Sequence, residues 1–189
     1  MRRPNSYLRY QVPLLTSPHT NVLKSFEFCI PTKGTKVPSG PEWFHEIKQD
    51  GFRMRVERDR DRVRLISRGG YNWTSRFPWI GEAALRNRVR QFVIDGEAVI
   101  LGVDGISDFN ALHSGRNNEE VQLCAFDVLA MDGDDLRRLP LSMRKANLER
   151  RLARRPEGIF ISPTQRELIR SANWRQLSLK IALQQKIFF

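Results

Sequence analysis

Apolar and polar positions alternate through the middle of the chain in the manner of strands. Arg62-Val63-Arg64-Leu65-Ile66 is near-alternating, the pattern of a half-buried strand. Phe52–Arg58 precedes it across a charged turn, and Glu42–Lys48 leads into Asp50-Gly51 ahead of both. Longer apolar runs predict two more strands, Phe92–Leu101, interrupted by Asp95-Gly96-Glu97, and Val121–Met131. Helical patches lie between them at Pro78–Arg90, Asp108–Ser114 and Leu141–Arg154, the last with Leu141, Leu148 and Leu152 in helical period. Upstream, Pro4, Pro13, Pro18, Pro31, Pro38 and Pro41 break any helix, and Pro31–Gly40 is polar turn material. A short extended piece is expected around Phe26–Ile30, with the compact part starting near Pro41. Antiparallel hairpins mixed with helices argue for an α+β fold over a wound βαβ sheet.

The composition sets bounds on this picture. The chain has 189 residues, 40% hydrophobic and 28% charged, which suits one globular domain with or without tails. No apolar run approaches the roughly 20 residues that a membrane helix needs, so no membrane partner is expected. Met1–Thr16 has no apolar signal core. Cys29 and Cys124, with His19, His45 and His113, make neither a disulfide framework nor a zinc spacing. A reducing, cytoplasmic location is the expectation. The 32 Lys+Arg against 21 Asp+Glu leave a net +11, which favours a polyanionic partner through counterion release. A solvated basic surface would give the same number.

The sharpest chemistry lies in Glu46-Ile47-Lys48-Gln49-Asp50-Gly51-Phe52-Arg53. Strand alternation points Glu46 and Lys48 the same way, and Lys48 falls at a strand end beside an Asp50-Gly51 turn. A lysine at the rim of a sheet can serve as a nucleophile once its amine loses a proton. A surface ion pair beside a hairpin would look the same. Asp95 and Glu97 share one strand face, which marks that face as a wet cleft or a polar sheet edge. Phe126 sits within the apolar run Leu123–Leu129, where a core role is the ordinary one.

Lys48-Gln49-Asp50-Gly51-Phe52-Arg53 resembles the Lys-x-Asp-Gly-x-Arg signature of the covalent nucleotidyltransferases: ATP-dependent DNA ligases, RNA ligases and mRNA capping enzymes. Ser39–Ile47 resembles the segment before that lysine in bacterial ATP-dependent DNA ligases, including the ligase modules of end-joining enzymes of the ligase D type. Ser67-Arg68-Gly69-Gly70 is similar to the second motif, with Gly69 in place of the usual Asn. Asp95-Gly96-Glu97 is similar to the third. Ala125–Leu129, followed by Leu139-Pro140-Leu141 and Arg144, resembles the next. The likeness covers residues 39–155, in the family's order.

The resemblance implies a nucleotidyltransferase, or adenylation-domain, fold with antiparallel sheets flanked by helices. It implies ATP and Mg2+ as cofactors and nicked double-stranded DNA as substrate. Lys48 would be the catalytic nucleophile. The nucleotide-binding set would be Glu46, Ile47, Arg53, Arg68, Glu97 and Phe126. Within it, Phe126 would stack on adenine, Glu46 would accept from the adenine amino group, and Glu97 would bind the ribose hydroxyl. Arg53 and Arg68 would engage the 5′-phosphate of the nick and nearby nucleotide groups, since guanidinium forks match phosphate oxygens. Asp95 would support the site, and the metal ligands stay unassigned.

The likeness ends after Pro163. The family's later Glu-Gly and Lys-x-Lys motifs and its OB domain are not recognisable. Glu157-Gly158-Ile159 falls too early for the former. The expected organisation is a lead-in at 1–40, a partial adenylation domain at 41–163 and a basic divergent tail at 164–189. That tail could form one amphipathic helix, and the chain reads as C-terminally truncated. Three functions follow: an ATP-dependent DNA ligase adenylation domain acting in repair and recombination, a catalytically deficient remnant that binds nucleotide or DNA, and an RNA ligase or capping enzyme. Leu139-Pro140-Leu141 with Arg144 favours a DNA ligase over the last.

Overall fold

The computed structural model describes residues 26–28, 44–152, 157–162 and 183–185. Its centre is a six-stranded sheet in the order β3-β2-β4-β5-β6, with β7 added beside β5. The strands are β2 (Phe52–Asp59), β3 (Arg62–Ser67), β4 (Gln91–Val99), β5 (Gln122–Met131), β6 (Asp134–Asp135) and β7 (Ile159–Ile161). All pairings are antiparallel except β5 with β7. Among the described residues there are three α-helices, α1 (Pro78–Arg86), α2 (Phe109–Ser114) and α3 (Leu141–Leu152). This is the expected α+β class.

The alternation of β2 sorts its two faces. Met54 and Val56 enter the main core with Leu65, Ile94, Leu123 and Val128, covered by Phe77, Ile80, Ala83 and Ala84 around α1. Arg53, Arg55 and Glu57 point to the other face. Pro78 occupies the first turn of α1, where its missing N–H costs nothing. Buried Arg58 satisfies the other end, donating to the carbonyls of Ala84, Asn87 and Val89 at 2.7, 2.7 and 3.0 Å. Burial, and then the charge of Arg90, hold the Arg58 guanidinium below its ordinary pKa. At α2, the Asp108 carboxylate accepts from the Ala111 N–H and Gly115 ends the helix in a left-handed conformation.

Asp95-Gly96-Glu97 does not interrupt its strand. The irregularity is on the partner, where β5 slips register against β4 in two places. Asp95 faces Asp127 while Gly96 faces Ala125, so Phe126 is the extra residue of one bulge, and Leu129 is the extra residue of the other. The core residues of β5 therefore run Leu123, Ala125, Val128, Met131, with the spacing stretched from two to three. Gly96 permits the close approach here. A Cβ on it would meet the Cys124 carbonyl oxygen at 2.7 Å and the Leu123 side chain at 2.9 Å.

The opposite face carries a smaller apolar cluster of Phe26, Val93, Leu129 and Ala130. Phe26 lies in the stretch read as lead-in, yet it is buried against the sheet. Arg137 covers its ring at 4.6 Å. The bonds Arg137 donates to Asp135 hold that carboxyl below its ordinary value, so this contribution is present at neutral pH and fades as acid protonates Asp135.

Two expectations change. Asp50-Gly51 does not close a hairpin, because β1 (His45–Ile47) pairs not with β2 but antiparallel with β8 (Leu183–Gln185). The stretch Thr164–Phe189, expected as one helix, contains a strand at 183–185, and 164–182 and 186–189 lie outside the described residues. β2 to β5 and the three α-helices fall within a few residues of expectation, α1 ending at Arg86 rather than Arg90, whereas β6 and β7 had no expected counterpart.

Gly96→Ala is expected to lower unfolding stability by about 1–3 kcal/mol, through overpacking against Cys124 and Leu123. Gly81→Ala, in α1 where a Cβ meets nothing within 4 Å, is expected to leave it unchanged or raise it by up to about 1 kcal/mol. Urea denaturation of both variants checks the pair.

Candidate active site

The motif residues converge on the face of the sheet that bears Arg53. β1 ends at Ile47, so Lys48 is the first residue beyond the strand, and it is exposed. The loop that carries it is tied down at its far end. The Asp50 N–H donates to Ser107 Oγ at 3.0 Å. Gly51 lies so close to β4 that a Cβ would stand 2.3 Å from the Ala98 carbonyl oxygen and 3.1 Å from Glu97 Cγ. Only glycine fits there. The lysine loop is thereby anchored beside half-buried Glu97.

Arg53, opposite Glu97 in the β2–β4 register, forms a two-pronged ion pair with Asp95 at 2.7 Å for both bonds. Its guanidinium also lies over the Phe126 ring, 4.5 Å from the centroid. Three separate stretches of sequence thus meet through one side chain. Asp95 is 1% exposed, its carboxylate held against Arg53. Phe126 is 8% exposed and belongs to this face. The bulge turns it there, away from the core side that Ala125 and Val128 occupy. Arg68 is exposed just past β3, and its N–H donates to the Arg53 carbonyl at 3.2 Å. For Ile47 the backbone alone is described, paired with Leu183.

Glu46 stands apart from the other expected ligands in being buried and ion-paired. Lys145 Nζ donates to its Oε1 at 2.5 Å and to the Phe126 carbonyl at 2.8 Å. Lys145 was not legible as a site residue, since it sits in a basic helical stretch where lysines are ordinarily solvated. Its neighbour Arg144 is buried too, donating to both oxygens of Asp127 at 2.9 and 3.1 Å and to the Leu139 carbonyl at 2.6 Å. Successive residues of α3 thus fasten the helix to β5. The extra residues on this face are Phe28 over Arg53 and Arg55, and Glu57, which accepts from Arg55 and Arg64.

The family model described as the ATP dependent DNA ligase domain matches residues 16–176. The chain belongs to this family. The multifunctional non-homologous end joining protein LigD of Pseudomonas aeruginosa is 35% identical over 137 residues, covering 69% of this chain and 16% of that protein. A probable DNA ligase of Streptomyces coelicolor is 37% identical over 116 residues, covering 56% of this chain and 23% of that protein. Among solved structures, the ligase domain of Mycobacterium tuberculosis LigD aligns with a TM-score of 0.56 at 30% identity, over 65% of this chain and 40% of that one. A mycobacterial DNA ligase D complexed with ATP and MES aligns with the same TM-score. The ligase domain here is therefore of the LigD kind, with the nucleotidyltransferase fold. The chain spans less than a quarter of the length of the two curated relatives.

Arg144→Ala would strand the Asp127 carboxylate in the interior, and the expected cost is about 3–5 kcal/mol of unfolding free energy. Chemical denaturation measures it. A loss below about 1 kcal/mol, the value of an exposed pair, would show that this bond does not hold α3 to the sheet.

Proposed function

We propose that this chain is the adenylation part of an ATP-dependent DNA ligase, with Lys48 as the nucleophile. The observation that carries the reading is the convergence of the Lys48 loop, Glu97, the Arg53–Asp95 pair and Phe126 on one sheet face, in a chain of this family. The ATP in the related mycobacterial structure's description supports the choice of nucleotide.

In the first step the Lys48 amine, after giving up a proton, attacks the α-phosphorus of ATP. A P–N bond forms, the P–O bond to pyrophosphate breaks, and lysyl-AMP remains. In the second step a 5′-phosphate oxygen of nicked duplex DNA attacks the same phosphorus and the lysine leaves. In the third the 3′-hydroxyl attacks the 5′-phosphate, AMP departs, and the strand is sealed. Charge builds on phosphate oxygens throughout, which places a premium on fixed cationic groups. Arg53 is preorganised by Asp95, and exposed Arg68 lies next to it along the backbone. Phe126 offers a flat apolar face to the adenine, Glu46 an acceptor for its amino group and Glu97 an acceptor for the ribose.

Among the described residues no three His, Cys, Asp or Glu side chains group to hold a metal ion. Magnesium would be held through substrate phosphates, waters and one or two carboxylates. When bound it supplies neutralisation of phosphate charge. The second reading, a remnant that binds nucleotide without transferring it, differs from the first in a single observable. Incubation with α-labelled ATP and magnesium is expected to label the wild-type protein and to leave Lys48→Ala unlabelled. Absence of Lys48-dependent label favours the remnant.

A further inference from the structure

We infer that Lys145 is a positioning residue that sets the nucleotide preference of the site, by holding Glu46 as an oriented carboxylate beside Phe126. The inference rests on the nucleotide reading above and adds a residue to it.

Three facts place Lys145 in this role. It lies 99 residues from Glu46 in sequence, yet its ammonium meets Glu46 Oε1. The same ammonium donates to the Phe126 carbonyl at 2.8 Å. One cation therefore spans the two residues assigned to the base, fixing their separation from the α3 side. Both members of the ion pair are deeply buried, Glu46 at 7% and Lys145 at 5% exposure. A buried carboxylate needs a partner for its charge and a fixed direction for its oxygens, and Lys145 supplies both.

The orientation of the Glu46 carboxylate decides what it can recognise. Adenine presents an amino group, a donor, where guanine presents a carbonyl oxygen, an acceptor. An ionised carboxylate only accepts, so it attracts the first and repels the second. Among the described residues only Oε1 of the Glu46 carboxylate is in a hydrogen bond, with Lys145. Oε2 is the oxygen the base would meet. Lys145 thus acts on the base through Glu46 and touches no nucleotide atom itself.

A double-mutant cycle tests this on the full chain. Equilibrium dialysis with labelled ATP and labelled GTP gives the preference for wild type, Glu46→Gln, Lys145→Met, Lys145→Arg and Glu46→Gln/Lys145→Met. Far-UV circular dichroism confirms that each is folded. Wild type is expected to prefer ATP, Lys145→Met to lose about tenfold of that preference, and Lys145→Arg to recover part of it. The double variant is expected to lose no more than either single one, because both act at one contact. An unchanged preference in folded Lys145→Met, losses that multiply in the double variant, or no ATP preference in wild type would overturn the inference. If Lys145→Met does not fold, the double variant, which leaves no orphan charge, is compared with Glu46→Gln: equal preference supports the inference and a further drop overturns it. Absence of Lys48-dependent labelling alongside an intact, Lys145-dependent ATP preference would defeat the transfer reaction and leave this inference standing.

Discussion

The buried bond from Lys145 to Glu46 is the constraint on which the site depends. β1 is not a member of the main sheet; it pairs with β8. Lys48 is the residue that follows it, so the position of Lys48 relative to Phe126 depends on what fixes β1. Lys145 fixes it from one side, through Glu46 and the Phe126 carbonyl. Gly51, pressed on Ala98, and Ser107, bonded to the Asp50 N–H, fix the loop from the other. A side chain that moved either anchor by an ångström would move Lys48 by a comparable amount, and the transfer proposed for that amine is steeply sensitive to such shifts.

The same economy governs the rest of that sheet face. Buried acids there are matched by guanidinium groups: Asp95 by Arg53, Glu57 by Arg55 and Arg64, Asp127 by Arg144. Removing one partner of such a pair costs more than the pair contributes, because it leaves a charge in the interior. The network therefore specifies geometry more than it adds stability. α3 shows this well. Among the described residues Leu148 is a buried apolar contact of this helix, and Arg144 and Lys145, adjacent in sequence, set its rotation and its register on β5 through the Asp127 carboxylate and the Phe126 carbonyl.

How much could be read in the sequence follows from what each feature depends on. The strands and helices were legible because periodicity is local: β3 falls at Arg62–Ser67 as its alternation predicts, and α3 begins at Leu141. The partner of β1 was not, because pairing across more than a hundred residues leaves no local mark. Lys145 was hidden for the same reason, as a buried lysine and a solvated one look alike without their surroundings. The bulge at Phe126 was hidden too; an unbroken apolar run cannot show which residue is the extra one. Phe26 lay in a stretch dominated by prolines, so its burial against Val93 and Leu129 had no periodic signal to announce it.

The reaction proposed for Lys48 joins its amine covalently to AMP. Mass-spectrometric peptide mapping after incubation with ATP and magnesium reads that bond. An added AMP is expected on the peptide that contains Lys48, lost in mild acid and kept in alkali as a phosphoramidate should be. An AMP found on any other side chain, or none on this protein, would contradict it.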